Sequence, residues 1–360
     1  MSDIVIIGGG IMGMLSARYL TAQGAQVTLI EKGELGQESS WAGGGIISPL
    51  YPWRYPKAIT LLANFGQQYY PQLCAELNEN TGIDPEYDPT GFLIIAKQEQ
   101  QQALEWAKKF KQPLEIINQP QIKEIEPALK TKAQSAIWMK TVGQIRNPRL
   151  VKSLAADIRQ KGVKIIENCP IEQFELNQQG KLKAVKSQKQ TFSGDLFAVC
   201  SGAWSGDLLA KTKIKVNVKP IMGQMILFKG PPHLISRITL EADRYIIPRK
   251  DGRVLFGSTI EDHGFHKITT PQIKQTLYNI AIERFPILKD LTIEHHWAGL
   301  RPASATGIPY IGQHPQIPNL YFNCGQYRNG VVIGLGSCLL LSELITGQDP
   351  FINAMPYSLT

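Results

Sequence analysis

Gly8-Gly9-Gly10-Ile11-Met12-Gly13 stands between an apolar run, Ile4-Val5-Ile6-Ile7, and a helix-like stretch from Met14 to Gln23 that Gly24 closes. A second apolar run, Val27 to Ile30, ends in Glu31, eighteen residues after Gly13. Strand, glycine turn, helix, strand and acid in this order constrain the chain to a βαβ unit that binds a dinucleotide. Gly8 permits the tight turn, Gly10 lets backbone approach a pyrophosphate, and Gly13 lets helix and strand pack closely. The unpaired N–H groups at the helix start, around Ile11 and Met12, are expected to face the diphosphate. The Glu31 carboxylate is expected to accept hydrogen bonds from ribose hydroxyls and to oppose a 2′-phosphate, with Lys32 beside it in the same binding set.

The 360 residues, 43% hydrophobic and 19% charged, are those of an ordinary globular protein with room for two substantial cores. The net charge of +8 is scattered, and Lys108-Lys109-Phe110-Lys111 follows Glu105 on a solvated helix, so no nucleic-acid partner is expected. Cys74, Cys169, Cys200, Cys324 and Cys338 form no C-x-x-C pair, and most sit in apolar runs. Buried free thiols in a reducing compartment are therefore expected, not disulfides or a metal site. His295 and His296 are adjacent and would point to opposite faces of a strand. The apolar N-terminus carries Asp3 and lacks the basic start of a signal peptide. The longest late apolar run, Val331 to Leu341, is too short to span a bilayer, so the expectation is a cytoplasmic enzyme with no membrane partner.

Further along, Gln37 to Pro49 is unusually rich in glycine and small residues, which lets a planar ligand touch backbone. A helix is expected from about Ala58 to Glu79, a strand of a different sheet at Gly91 to Ala96, and a polar, exposed helix at Gln98 to Lys111. Asn147-Pro148 reads as an N-cap and first helical turn, leading to a strand at Val163 to Ile166. Asp195 to Gly202 reads as a buried strand ending in a glycine turn. Residues 213 to 259 alternate in β fashion, with a hairpin at Lys250-Asp251-Gly252-Arg253, and a strand at Ile293 to Trp297 follows a helix. Leu320 to Gly325 and Gly330 to Ile345 return as strand and apolar helix. Two discontinuous domains fit best: 1–86, 141–212 and 295–360 around the dinucleotide, and 87–140 with 213–294 for a substrate. The fold class is α/β, a Rossmann-like domain with an α+β second domain on a mostly antiparallel sheet.

The pieces Glu38 to Gly45, Ser201-Gly202-Ala203-Trp204-Ser205, Pro220 to Met225, Tyr245-Ile246-Ile247-Pro248-Arg249, Gly257-Ser258-Thr259, Gly299-Leu300-Arg301-Pro302 and Tyr327-Arg328-Asn329-Gly330 follow one another in a specific order. With the opening turn, they make the chain resemble the flavin amine oxidases of the D-amino-acid oxidase superfamily, most closely the glycine oxidases of thiamine biosynthesis. The resemblance spans nearly the whole chain. It implies FAD, held without a covalent bond, because Arg301 to Gln313 has no cysteine where related sarcosine oxidases attach their flavin. It places Ser39 and Ser40 at the pyrophosphate and ribityl region, Gly44, Gly45 and Ile46 along the flavin ring, and Ile171 near the adenine. Gly202 joins this set, and Gln326, Tyr327, Arg328, Asn329, Gly330, Val331 and Val332 wrap the flavin's pyrimidine end. The last helix would then support negative charge on the reduced ring.

For the substrate, the resemblance implies that Arg301 holds a carboxylate, and a guanidinium fork suits that group. Arg328 is a second cation, Tyr245 a hydroxyl partner, and Ile260 a limit on side-chain space. Tyr51 and Trp53 are candidates for an entrance, with aromatic packing equally open. The implied reaction is oxidation of glycine, and of sarcosine or small D-amino acids, to an imine or 2-oxo acid with hydrogen peroxide, molecular oxygen being the acceptor. It would supply iminoglycine for the thiazole of thiamine. Alternatives are a D-amino-acid dehydrogenase that reduces a quinone and a sarcosine-type oxidase. Family relatives suggest a homo-oligomer, a tetramer.

Overall fold

The runs at 4–7 and 27–30 are apolar except for Thr28 and call for cover on both sides, as parallel strands do. In the computed structural model, which describes residues 2–359, Asp3–Ile7 and Gln26–Ile30 lie in the middle of a six-stranded sheet. Its order is Tyr310–Gln313, Leu320–Cys324, Leu196–Val199, Asp3–Ile7, Gln26–Ile30 and Lys164–Ile166. Every pair is parallel except the outermost, Tyr310–Gln313 on Leu320–Cys324. The opening helix, Ile11–Ala22, packs beside Asn147–Gln160 and the largely buried last helix, Gly330–Thr346, which the long helix Lys57–Thr81 covers from outside. Segments far apart in sequence thus share one core around the dinucleotide turn. A three-stranded antiparallel sheet, Gln173–Leu176, Leu182–Lys186 and Thr191–Ser193, adds to this half.

The second sheet has eight strands in the order Thr292–Ser304, Val218–Lys229, Arg253–Gly257, Arg244–Pro248, Ile238–Glu241, Phe92–Ile95, Ser135–Met139 and Glu115–Asn118. Only Ile238–Glu241 on Phe92–Ile95 is parallel. The hairpin at 250–253 forms where its sequence placed it, with Gly252 at φ 86°. Thr292–Ser304 pairs with Val218–Lys229 along its whole length, so residues 295–304 belong with this sheet and not with the nucleotide half. The strand expected at Ile293 to Trp297 therefore runs on to Ser304; it is an edge strand, where the missing N–H of Pro302 is tolerated.

Two local expectations change. Asn147 does not cap its helix; Arg146 occupies the cap position with no side-chain bond. Instead the wholly buried Asn147 amide donates to the Ser40 carbonyl at 2.9 Å, tying this helix to the second glycine-rich segment. The helix Gln100–Phe110 is not exposed all round: Ala103, Trp106 and Ala107, spaced three and four apart, pack into an apolar cluster with Tyr51 and Trp53. Trp53 also donates its indole N–H to Glu99 at 2.7 Å, so Tyr51 and Trp53 are packing residues.

All five cysteines are free and buried. Burial pushes the thiols of Cys74, Cys200 and Cys324 up to about 12 and raises that of Cys338 further. These four are expected to resist a thiol-exchange reagent at pH 8 in the native protein and to react once it is denatured, as release of the coloured leaving thiol reports. Fast native labelling of any of them would contradict the buried placement. No helix among the described residues is long and apolar enough to cross a membrane.

Candidate active site

One long cleft runs along the carboxyl ends of the parallel strands and reaches the second sheet. At its nucleotide end the glycines behave as the turn requires. Gly8 sits at φ 115°, and a Cβ there would lie 2.4 Å from the Cys200 carbonyl oxygen. A Cβ on Gly13 would lie 1.8 Å from the Gly8 carbonyl oxygen, so helix and strand touch backbone to backbone. Gly10, at the cap of Ile11–Ala22, lines the cleft with Ile11 and Met12. The Ile11 N–H donates to the Ser40 hydroxyl at 2.9 Å, which puts Ser40 at the positive end of this helix. Ser39 also lines the cleft, though its hydroxyl donates to the Leu300 carbonyl.

The Glu31 carboxylate faces the same space. It accepts the N–H groups of Gly9 at 2.6 Å and Gly33 at 3.1 Å, so it braces the turn as well as edging the cleft. Lys32 lies beside it with its ammonium 3.1 Å from the centre of the Trp204 ring. Ile171 and Gly202 complete this end, together with Cys169 and Trp204, which sequence reading passed over. Trp204 stands two residues after Gly202 in the same 3-10 turn, and that short spacing is the signal that would have found it.

In the middle of the cleft run Gly44, Gly45 and Ile46. Gly45 is at φ 79°, and a Cβ there would lie 1.9 Å from the Ile145 carbonyl oxygen. A Cβ on Gly44 would meet Ile247 at 2.7 Å and Tyr245 at 3.3 Å. Such bare backbone is the surface a flat ring system can approach. Opposite, Gln326, Tyr327, Arg328, Gly330, Val331 and Val332 line the wall, and the last helix begins there with its free N–H groups. Asn329 caps that helix through its carbonyl and is absent from the wall.

At the far end Arg301 projects from the last third of Thr292–Ser304, beyond Trp297, where the sequence reading ended that strand. Its guanidinium donates to the carbonyls of Met222 and Thr259, each at 3.1 Å, and to the Ser258 hydroxyl at 2.7 Å. All three acceptors are neutral. Desolvation draws the Arg301 pKa below the usual arginine range, and the neighbouring Tyr245 hydroxyl is the largest opposing influence. A partly buried cation held by neutral acceptors leaves its charge uncompensated, which favours an anionic ligand. Tyr245 is buried with its hydroxyl 3.7 Å from the Met225 sulfur, a weak acceptor. Arg328 joins the same wall, with one buried guanidinium nitrogen unpartnered. Ile260 does not line the cleft and is 51% exposed. Leu50 and Met225 supply the apolar wall beside Tyr245 instead.

The space for Arg301 depends on Gly223, which faces Gly299 across the two long strands. A Cβ on Gly223 would lie 2.1 Å from one guanidinium nitrogen of Arg301. A glycine inside a strand signals such a close approach, so this residue was open to sequence reasoning. Gly223→Ala is expected to displace Arg301 and to raise KM about tenfold for any substrate held there by its carboxylate, while leaving the nucleotide end of the cleft unchanged. Steady-state kinetics beside the absorption spectrum checks this.

Matched against known proteins, the chain fits the family model of FAD dependent oxidoreductases over residues 3–344. It is 43% identical to a glycine oxidase of Pseudomonas putida over 357 residues, which are 99% of this chain and 98% of that one. It is 30% identical to the bifunctional protein ThiO/ThiG of a Nostoc species, covering 99% of this chain and 55% of that protein. The crystal structure of glycine oxidase from Bacillus cereus shares the fold with a TM-score of 0.91 at 28% identity, over 97% of this chain and 96% of that one. The bare glycine backbone, the helix start and the acid of Gln26–Glu31 suit an adenine dinucleotide carrying a flat ring, which is FAD. The chain belongs to the FAD-dependent oxidoreductase family, and it is an amine oxidase that works with FAD.

Proposed function

We propose that this protein oxidises glycine, together with sarcosine or small D-amino acids, to the imine, with oxygen as the acceptor and hydrogen peroxide as product. The observation that carries the reading is the Arg301 guanidinium, which faces the cleft with only neutral acceptors and stands beside the Tyr245 hydroxyl. Arg301 binds the substrate carboxylate through its fork, and Tyr245 adds a hydrogen bond from the roof. These two contacts fix the α-carbon in position, which is the chief demand when no acid or base is needed beyond a neutral amine. Leu50 and Met225 give the cleft an apolar wall beside Tyr245, where the substrate's α-carbon would lie. Bound FAD supplies the acceptor for the two electrons of the C–H bond. No covalent link is proposed, since Cys324, the cysteine after Arg301 in sequence, is wholly buried inside a strand.

The imine of glycine hydrolyses in water to glyoxylate and ammonia. Its other proposed fate is the thiazole of thiamine, a reading supported by the similarity to ThiO/ThiG proteins. Oxygen uptake and peroxide release with glycine, sarcosine and D-alanine test the proposal. Glycine is expected to support both in equal amounts. Turnover with an artificial quinone and none with oxygen would overturn the oxidase reading in favour of a dehydrogenase.

A further inference from the structure

Side chains alternate along a strand, so Tyr245, Ile247 and Arg249 on Arg244–Pro248 and the residue after it share a face. All three meet the same short segment. Tyr245 and Ile247 press on Gly44, and the second guanidinium nitrogen of Arg249 donates to the Gly44 carbonyl at 2.8 Å. Its other terminal nitrogen donates to the Ile145 carbonyl at 3.0 Å and to the Gln144 side-chain oxygen at 2.7 Å. Gln144 closes the ring by donating to the Pro248 carbonyl at 2.7 Å, and Ile145 N–H donates to the Gly45 carbonyl at 2.8 Å.

Arg249 is buried and makes no ion pair among the described residues. The nearby carboxylates of Glu86 and Asp251 pair with Arg146, at 3.2 and 2.9 Å. Burial lowers the Arg249 pKa to about 10, so the charge persists at neutral pH. Cohesion alone is served as well by an apolar side chain, without the cost of desolvating a cation. A planar fork that reaches Gly44, Ile145 and Gln144 at once does something an apolar side chain does not: it fixes the distance between separate backbone segments.

We infer that Arg249 is a positioning residue that holds the Gly43–Ile46 segment, against which FAD lies, in fixed register with the strand that carries Tyr245. FAD and the carboxylate site are thereby set in one frame by a side chain that touches neither. The inference rests on FAD lying along Gly44 to Ile46.

Arg249→Met and Arg249→Lys variants, stripped of FAD and titrated with it, test the inference through flavin fluorescence and the visible circular dichroism of the bound flavin. The methionine variant is expected to bind FAD at least tenfold more weakly and to show an altered flavin dichroism. At saturating FAD its KM for glycine is expected to rise severalfold, because Tyr245 loses its register. The lysine variant, which reaches fewer acceptors, is expected to recover part of both. A methionine variant that melts earlier but binds FAD with wild-type affinity and dichroism would overturn the inference, leaving Arg249 a stability residue. If that variant does not fold, the lysine variant decides by the same two readings. Wild-type apoprotein that takes up no FAD would instead sink the cofactor placement on which the inference rests.

Discussion

Arg301→Ala is expected to give a yellow, flavin-loaded protein whose kcat/KM for glycine falls by roughly 30- to 5,000-fold. The range follows from losing one side of a desolvated, charge-assisted contact, about 2–5 kcal/mol. Flavin retention is expected because Arg301 donates to Met222 in the second sheet and to Ser258 and Thr259 just after one of its strands, and among the described residues to nothing in the dinucleotide turn. The loss should fall mainly on KM if the carboxylate is held equally before and during hydrogen removal, and on kcat as well if the fork aligns the α-carbon. Arg301→Lys keeps a charge but loses the planar fork, so it should recover only part of the loss. Rapid-mixing reduction kinetics at varied glycine separates the two effects. A flavin-loaded alanine variant with wild-type glycine kinetics would remove Arg301 from the site.

The second large effect is expected at Gly13→Ala. The added methyl would lie 1.8 Å from the Gly8 carbonyl oxygen and 3.2 Å from a Leu29 methyl. Backbone cannot rotate away as a side chain can, so helix and strand must part by more than an ångström. Overpacking of this kind costs about 1–3 kcal/mol, and here it also misplaces the helix start that meets the diphosphate. The protein is expected to purify nearly colourless and to bind added FAD on the order of 10- to 100-fold more weakly. Titration of the apoprotein with FAD, beside its thermal melt, is the check. Wild-type affinity in this variant would show that the close approach at Gly13 is unnecessary.

The nucleotide half was legible because each of its demands leaves a local mark. Gly8, Gly13 and Glu31 lie within one βαβ unit, and the spacing of glycines and acid dictates their positions. Gly45 and its neighbours were equally plain as a run of small residues. The substrate end was less so. Arg301 was named through family resemblance, but its place inside a long strand was hidden by Pro302, whose tolerance depends on an edge that no local sequence declares. Asn147 carried a cap signal that tertiary structure redirected to the Ser40 carbonyl. Ile260 fell away from the cleft because the backbone after Thr259 turns to pair Glu261 with Met222, a contact between residues 39 positions apart. Arg249 was quoted only as the last residue of a motif. Its partners, Gly44, Gln144 and Ile145, come from segments that meet only in the folded chain.

The most direct test is the visible spectrum of the purified protein mixed with glycine in the absence of oxygen. The account predicts loss of the flavin absorption near 450 nm as glycine reduces the cofactor, with the colour restored and peroxide formed when air is admitted. A flavin spectrum that glycine, sarcosine and D-alanine all leave unchanged would contradict it, leaving a flavin protein whose Arg301 site serves some other anion.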